Sequence, residues 1–231
     1  MNREWLNELE TRGFATIPGI FNEDEVEILR READRVQAEA GSACVRHLAS
    51  RSPVYAELSN SRPLRTWLPE EMGLVRGILF DKTPSENWPV RWHQDLTIAV
   101  RSRADVDGFG PWSIKEGVVH VQAPVTLLSR MITLRIHLDD TTAANGALMV
   151  IPGSHSMGKI DLDSTSAESL ASPVCCECRP GDILAMSPLI VHASKRSENP
   201  DRRRVIHFEY ADTSCPGEGL EWHESLSDLI N

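Results

Sequence analysis

The sequence predicts a mainly β fold with flanking α-helices, arranged as an antiparallel double-sheet barrel of the jelly-roll type. Two observations support this prediction. Amphipathic helical patterns dominate the first 70 or so residues, whereas short segments rich in β-branched and aliphatic residues follow from residue 72 onward. No long helical pattern separates these later segments, so βαβ units and a parallel sheet are not expected. A helical front followed by about eight short strands is typical of a jelly roll.

The N-terminal elements can be placed from their start and stop signals. A helix is predicted over residues 2–11 and ends at Gly13, and a short strand is predicted over residues 14–17. Asn22 and Glu25 have the spacing of a capping box, which predicts the start of a longer amphipathic helix.

The later elements are short and separated by Gly, Pro, Asn or Asp. Short helical pieces are expected within 53–68, and strands at 73–81, 94–100, 131–138, 147–151, 174–178, 182–186, 189–194 and 203–210. The stretch 101–124 is the longest segment predicted to be irregular, and loops of this length are often lids or binding loops. A short helix is expected in the tail, within 219–230.

Length and composition indicate a soluble globular protein. A chain of 231 residues with 41% hydrophobic and 25% charged residues suits one domain, with a helical part of about 1–70, a jelly-roll core of about 71–211 and a tail of 212–231. No apolar run is long enough for a membrane span, and the N-terminus has no apolar signal region. A net charge of −10 argues against nucleic acid and anionic membranes as partners. The oligomeric state is not predicted.

The five cysteines indicate a reducing compartment, which we expect to be the cytoplasm. Their number is odd and no export signal accompanies them, so free thiols are expected. Three of them lie in the run C-C-E-C at 175–178, which has no second Cys/His pair at zinc-site spacing. We interpret Cys176 and Cys178 as small hydrophobic residues on one face of a strand.

The clearest local motif is H-x-D at His93 and Asp95, in a β-rich context. On a strand these two side chains point to the same face, so an imidazole and a carboxylate converge there. They supply two ligands of a 2-His-1-carboxylate set, which holds Fe(II) and leaves positions open. The motif alone is weak, because a surface Asp beside a structural His gives the same pattern.

Residues later in the chain can complete such a site. His192 lies in a predicted strand and supplies the second histidine, and Ser194 faces the same way. Arg203 opens the last strand, and its planar guanidinium suits a bidentate contact with a carboxylate.

Several short motifs also follow one another in a fixed order. They are H-Q-D at 93–95, N-G-x-L-x-V-I-P-G-S-H at 145–155, G-D at 181–182, H-x-S at 192–194 and a late arginine. Together with the opening G-F-A-T-I-P-G-I-F, this order resembles the phytanoyl-CoA dioxygenase family of Fe(II)- and 2-oxoglutarate-dependent oxygenases, from about residue 13 to 211. The resemblance implies a double-stranded β-helix of the cupin-like type, one Fe(II), 2-oxoglutarate as co-substrate and O₂. It does not name the primary substrate, which we expect to be a small molecule.

The resemblance also implies roles for individual residues. His93, Asp95 and His192 would be the iron ligands, and Arg203 with Ser194 would hold the distal carboxylate of 2-oxoglutarate. The run of three arginines at 202–204 leaves Arg204 as an alternative and places Arg202 in solvent.

One interior strand carries a further candidate for carboxylate binding. Arg135 is assigned to a carboxylate of 2-oxoglutarate or of the substrate, with Thr133 on the same face; the alternative is a structural ion pair in the core. Arg76 is a weaker candidate for cofactor contact. His207 is interpreted as a core histidine, and the alternative is that it lines the pocket.

The implied reaction is hydroxylation of an unactivated C–H bond, with oxidative decarboxylation of 2-oxoglutarate to succinate and CO₂. Related halogenases have Ala or Gly in place of the carboxylate, so the intact Asp95 favours hydroxylation; desaturation or cyclisation stays open. Two other functions remain as alternatives. One is a non-catalytic metal-binding jelly roll, and the other is a zinc hydrolase that uses the same His/Asp/His set.

Overall fold

A computed structural model describes residues 4–198, 202–214 and 216–224 of the chain. The helices within them are α1 Glu4–Arg12, α2 Glu23–Ala40, α3 Leu48–Arg51, α4 Pro53–Ser59, α5 Arg62–Arg65 and α6 Val125–Leu128. The strands are β1 Phe14–Ile17, β2 Cys44–Arg46, β3 Met72–Lys82, β4 Val90–His93, β5 Thr97–Val100, β6 Trp112–Lys115, β7 Val118–Gln122, β8 Ile132–His137, β9 Leu148–Val150, β10 Val174–Cys176, β11 Ile183–Met186, β12 His192–Ser194 and β13 Arg203–Asp212.

The strands form two facing sheets and a smaller third one. The larger sheet has the order β1-β11-β8-β13-β3-β2, and the second has the order β10-β9-β12-β4. Every pairing in both sheets is antiparallel. The third sheet has the order β5-β7-β6, and its first strand begins directly after the H-x-D motif. The architecture is the predicted jelly roll.

Alternation along β13 separates the two sides of the larger sheet. Ile206, Phe208 and Tyr210 belong to the core cluster that packs against the helices. The alternating residues of β13 line a cavity between the sheets; they are Arg203, Val205, His207 and Glu209. The strand therefore contributes to a helix-covered core on one face and to a polar cavity on the other.

Helix α2 covers the outer face of this sheet and begins at the predicted capping box. The Asn22 side chain accepts a hydrogen bond from the Glu25 backbone N–H, and the Glu25 carboxylate accepts one from the Asn22 N–H. The helix ends at Gly41, whose φ of 62° is the left-handed conformation that glycine adopts without strain. Its buried stripe joins the core; it consists of Val26, Leu29, Ala33 and Val36.

Some sequence predictions of secondary structure need correction. The stretch 101–124 is not irregular throughout, because it contains the hairpin of β6 and β7, and Phe109 at its centre packs on a hydrophobic cluster. The N-terminal part contains a second strand, β2, which was not predicted. The described part of the predicted tail helix, 219–224, is not helical; it forms isolated bridges, and the rest lies outside the described residues.

Among the helices of the described residues, none combines the length and the hydropathy that a membrane crossing needs. The cysteines of the C-C-E-C run behave as predicted, since Cys176 and Cys178 are buried in the cluster between the sheets. The four described cysteines are free thiols.

Candidate metal centre and anion-binding cavity

The predicted metal ligands come together at the edge of the second sheet. His93 ends β4 and lies directly opposite His192, the first residue of β12. Asp95 lies just beyond the end of β4, and not on a strand as predicted; its backbone N–H donates to the Pro188 carbonyl. One ligand atom from each of the three residues lies within 4.8 Å of those of the other two. The described residues form no other such group of His, Cys, Asp or Glu.

The two imidazoles are oriented for metal binding. The Nδ1 of His93 lies 2.8 Å from the Arg91 carbonyl oxygen, and the Nδ1 of His192 lies 2.9 Å from the Ile190 carbonyl oxygen. Because a carbonyl oxygen can only accept, each Nδ1 carries the proton and each Nε2 presents a lone pair. Both Nε2 atoms lie 3.6 Å from a carboxylate oxygen of Asp95. The donor set therefore fits a divalent transition metal with open positions.

The protonation states in this cluster favour metal binding. Burial lowers the pKa of His192 to about 4, although the neighbouring Asp95 acts in the opposite direction, so the ring is neutral near pH 7. Partial withdrawal from water raises the pKa of Asp95, but His192, His207 and His93 outweigh that effect and hold it below its ordinary value. A neutral imidazole and an ionised carboxylate are the forms that bind metals.

A cavity of about 170 Å³ extends from these three residues between the two sheets. Its floor consists of directly paired residues of β3 and β13. The pairs are Lys82 with Arg203, Phe80 with Val205, Ile78 with His207, and Arg76 with Glu209, the last pair next to a bulge. Arg135, opposite His207 on β8, joins this floor.

Three cations of this cavity have no carboxylate partner among the described residues: Lys82, Arg135 and Arg203. The Lys82 ammonium donates to the Trp88 carbonyl at 2.6 Å and to the Ser194 hydroxyl at 3.2 Å. The Arg203 guanidinium donates to the Gly146 carbonyl, and its Nε is buried without a partner. Burying unpaired cations is costly, so the arrangement indicates a binding site for an anion.

Burial and neighbouring positive charges lower the pKa of two of these cations, Lys82 and Arg203. Burial, reinforced by Arg203 and Arg135, lowers the pKa of Lys82 to about 8. Burial together with Arg135 lowers the pKa of Arg203 to about 10. Both groups are charged near pH 7 and repel one another from directly paired positions on the cavity floor.

The structure distinguishes the three consecutive arginines. Only Arg203 lines the cavity. Arg204 points the other way, where its guanidinium forms a bidentate contact with Asp139 and an ion pair with Asp34. The prediction that Arg202 lies in solvent is wrong, because its side chain, 35% exposed, forms a bidentate contact with the buried Asp81. Side chains alternate along β13, so Arg203 faces the cavity and Arg204 faces away from it.

The two candidates on β8 differ. Arg135 lines the cavity and donates to the Nδ1 of His207 at 2.9 Å. The alternative interpretation, an ion pair with a core carboxylate, is not formed within the described residues. Thr133 is fully buried but does not line the cavity, which does not support its predicted contact with the co-substrate. Ser194 does line the cavity, as predicted.

Sequence reasoning missed Lys82 and underestimated three other cavity residues. Arg76 was ranked as a weak candidate, and Glu209 was not considered. His207 was interpreted as a core residue, with pocket lining as the alternative. All three line the cavity. The usable signal was alternation: Lys82 lies six residues after Arg76, on the same face of one long strand. Which face of that strand lines the cavity could not be assigned before its pairing with β13 was known.

Comparison with known proteins identifies the family. A family model of phytanoyl-CoA dioxygenase (PhyH) matches residues 9–205. The chain belongs to the phytanoyl-CoA dioxygenase family. The predicted resemblance is thereby confirmed. Ectoine dioxygenase from Sphingopyxis alaskensis is 24% identical over 184 residues, which are 67% of this chain and 53% of that protein. The match therefore spans about half the length of this relative.

Solved structures of similar fold include HygX and SnoN. The chain superposes on HygX from Streptomyces hygroscopicus with nickel, 2-oxoglutarate and hygromycin B bound, with a TM-score of 0.68, 21% identity and coverage of 99% of this chain and 100% of HygX. It also superposes on the epimerase SnoN of nogalamycin biosynthesis, in complex with Fe³⁺, alpha ketoglutarate and nogalamycin RO, with a TM-score of 0.71, 18% identity and coverage of 92% and 84%. At these identities the likeness establishes the fold, which is the predicted jelly roll of this family.

Proposed function

We propose that the chain is an Fe(II)- and 2-oxoglutarate-dependent dioxygenase that hydroxylates an unactivated C–H bond of a small molecule. One observation carries the proposal. A 2-His-1-carboxylate set opens into a cavity whose far end holds Lys82 and Arg203 with no carboxylate partner among the described residues. A dianion of suitable length would bind a metal at one end of the cavity and pair with these two cations at the other.

Each end of the cavity has a distinct task. His93, Asp95 and His192 would hold iron, and the donor set leaves positions for the keto and carboxylate oxygens of 2-oxoglutarate and for O₂. Arg203 would hold the distal carboxylate, since a guanidinium binds a carboxylate with two parallel hydrogen bonds. Ser194 and Lys82 would complete this contact, because they already lie 3.2 Å apart beside it.

Arg135 is the third cation that we assign to 2-oxoglutarate. Its guanidinium carbon lies 5.6 Å from the centre of the Phe80 ring, on the cavity floor between Arg203 and the candidate metal ligands. Its Nε is buried without a hydrogen-bond partner. A carboxylate oxygen of the bound co-substrate would satisfy that donor.

When bound, iron, 2-oxoglutarate and O₂ supply the oxidising chemistry, in which 2-oxoglutarate is converted to succinate and CO₂ and a C–H bond is hydroxylated. The protein contributes position and exclusion of water. Ile78, Phe80 and Val205 form an apolar band along the cavity between the two charged ends. The intact Asp95 supports hydroxylation as the outcome, because it fills the position that a halide would need.

A second, open cavity lies beside His93 and offers an entrance for the primary substrate. It is lined by Trp92, Leu96, Ile160 and Leu162 together with the charged Lys159, Asp161 and Asp163. His93 belongs to both cavities. HygX and SnoN have been solved with hygromycin B and nogalamycin RO, and we propose a small organic molecule of this general kind for the present chain.

The alternatives explain less of the site. A zinc hydrolase needs the three ligands and a water, but it has no use for buried, unpaired cations at the far end of the cavity. A non-catalytic binding protein would not need an open metal set. We further propose that residues 1–231 form one dioxygenase domain and that the protein works in the cytoplasm, which the four free thiols support.

The test is succinate formation by the purified protein. We expect succinate release from 2-oxoglutarate only when Fe(II) and O₂ are present, with an increase when the correct substrate is added from a screen. Zn(II) in place of Fe(II) should give none. Hydrolysis of ester or amide substrates with Zn(II), in the absence of 2-oxoglutarate, would instead favour the hydrolase.

A further inference from the structure

Four side chains form a continuous chain of contacts along the cavity floor, here named the floor chain: Arg135, His207, Glu209 and Arg76. The guanidinium of Arg135 lies 2.9 Å from the Nδ1 of His207, and the Nε2 of His207 lies 3.1 Å from a carboxylate oxygen of Glu209. The same oxygen of Glu209 lies 3.2 Å from the guanidinium of Arg76. All four residues line the cavity.

The floor chain fixes the tautomer of its histidine. A guanidinium can only donate hydrogen bonds, so the Nδ1 of His207 must accept from Arg135 and carries no proton. The ring proton then lies on Nε2 and is donated to Glu209. The His207 ring therefore has a fixed tautomer and a fixed direction, and it links the position of Glu209 to that of Arg135.

The two ends of the floor chain reach the two halves of the proposed active site. At one end, Arg135 keeps a buried, unpartnered Nε beside the proposed path of 2-oxoglutarate. At the other end, Arg76 donates to the Thr97 carbonyl at 3.0 Å. Thr97 is two residues after the metal ligand Asp95, so this contact holds the segment that carries the ligand.

Packing alone does not account for these residues. Glu209 and His207 are 4% and 3% exposed, and a buried ionic chain gains little stability over apolar side chains of similar size. The neighbouring inward positions of the same two strands are apolar, namely Ile78, Phe80 and Val205. The residues of the floor chain thus occupy one stretch of the floor, and Phe80 and Val205 separate them from Lys82 and Arg203.

We propose that His207 and Glu209 are positioning residues: they aim the Arg135 guanidinium at 2-oxoglutarate, while Arg76 at the other end of the floor chain steadies the segment that carries Asp95. The inference rests on the proposed function, because it assumes that 2-oxoglutarate occupies this cavity. It adds a role for residues that contact neither the metal nor the distal carboxylate.

The first test measures 2-oxoglutarate binding by the full-length protein with Fe(II) under anaerobic conditions, followed by the visible charge-transfer band. His207→Phe keeps a ring but removes both hydrogen bonds. We expect the 2-oxoglutarate dissociation constant to rise on the order of tenfold to a hundredfold, as loss of a hydrogen bond to a charged group predicts, with Fe(II) affinity little changed. His207→Gln, which can accept from Arg135 and donate to Glu209, should recover most of the loss.

A matched control separates positioning from stability. Glu224→Gln alters another buried carboxylate next to β3, which accepts from the Gly77 N–H and the Ser50 hydroxyl and does not line the cavity. It should lower stability without changing 2-oxoglutarate affinity. If His207→Phe does not fold, Glu209→Gln replaces it, since it keeps the shape and removes the charge that orients His207 and Arg76.

A double-mutant cycle tests whether His207 acts through Arg135. In an Arg135→Met background, His207→Phe should have almost no further effect on 2-oxoglutarate affinity. An undiminished effect in that background, or unchanged affinity in His207→Phe itself, would overturn the positioning role while leaving the proposed function intact. Failure of the wild-type protein to bind 2-oxoglutarate would overturn the proposed function and this inference with it.

The Arg76 end gives an independent readout. Arg76→Met should weaken Fe(II) binding several-fold through the segment at Thr97 and affect 2-oxoglutarate less, which is the reverse of the His207→Phe pattern. Fe(II) affinity is measured by competition with a chelator in the absence of 2-oxoglutarate. An Arg76→Met protein with wild-type Fe(II) affinity would remove Arg76 from the proposal.

Discussion

Replacing Lys82 by methionine should stabilise the protein that holds no co-substrate and weaken 2-oxoglutarate binding. Lys82 is 6% exposed, and burial, together with Arg203 and Arg135, lowers its pKa from 10.5 to about 8. At about 1.4 kcal/mol per pH unit, that difference corresponds to about 3 kcal/mol that folding costs while Lys82 stays protonated. Methionine has a similar length and carries no charge, so this cost disappears in the variant.

The net gain is smaller than the electrostatic cost. Lys82→Met leaves the Trp88 carbonyl and the Ser194 hydroxyl without their shared donor, which costs about 1–2 kcal/mol. The expected net gain is therefore about 1–2 kcal/mol near pH 7, or a Tm increase of roughly 2–8 °C for a chain of this size. Because the wild-type Lys82 loses its proton above about pH 8, the gain should shrink as the pH rises from 8 towards 10.

The assay is thermal unfolding of the protein without iron or 2-oxoglutarate at pH 7 and pH 9.5. Lys195→Met, an exposed position just after β12, serves as the matched control and should leave the Tm nearly unchanged. A second scan with Fe(II) and 2-oxoglutarate, under anaerobic conditions, should raise the Tm of the wild type more than that of Lys82→Met. A Lys82→Met protein with a lower Tm at both pH values and a full response to 2-oxoglutarate would refute the reasoning.

Four further predictions concern the same site. Asp95→Ala should lose Fe(II) binding and substrate hydroxylation, because one anionic ligand is gone; full hydroxylation would show that the ligand set is wrong. Arg203→Ala should raise the 2-oxoglutarate dissociation constant about a hundredfold to several thousandfold, because loss of one partner of a buried charge pair costs about 3–5 kcal/mol. Fe(II) binding should stay nearly intact in this variant. Arg204→Ala should lower the free energy of unfolding by about 1–3 kcal/mol, because Asp139 loses its bidentate partner, and it should leave 2-oxoglutarate affinity unchanged. Denaturant unfolding and a binding titration measure the two effects. Loss of 2-oxoglutarate binding would show that Arg204, and not Arg203, holds the distal carboxylate. The 2-oxoglutarate affinity of the wild type should fall as the pH rises above about 8, as the cavity loses the charge of Lys82, whereas Lys82→Met should show a flat profile over that range in the same titration.

Much of the fold was accessible from local sequence signals. The capping box at Asn22 and Glu25 depends on residues three apart, so the start of α2 could be predicted without tertiary information. The same holds for the strand β1, which matches its predicted range of 14–17. The β6–β7 hairpin was missed because its short strands lie in a segment rich in glycine and charged residues, and their pairing with β5 stabilises them.

The candidate metal ligands could be predicted because His93 and Asp95 are only two residues apart, and the family motifs supplied His192. The arginine that would hold the distal carboxylate of 2-oxoglutarate was only partly predictable. Whether Arg202, Arg203 or Arg204 faces the cavity depends on the register of β13 against β3, which no local pattern reveals. Lys82 was missed for the same reason, since its partner across the sheet is Arg203, 121 residues later in the chain.

The assignment of the cavity to iron and 2-oxoglutarate is tested most directly by an anaerobic titration of the wild-type protein with both components, monitored by visible absorbance. We expect a charge-transfer band that needs both Fe(II) and 2-oxoglutarate, saturates at one of each per chain, and is lost in Asp95→Ala. In Arg203→Ala the band should appear only at much higher 2-oxoglutarate concentration. Absence of the band in the wild-type protein at saturating Fe(II) and 2-oxoglutarate would contradict the assignment of this cavity to iron and its co-substrate.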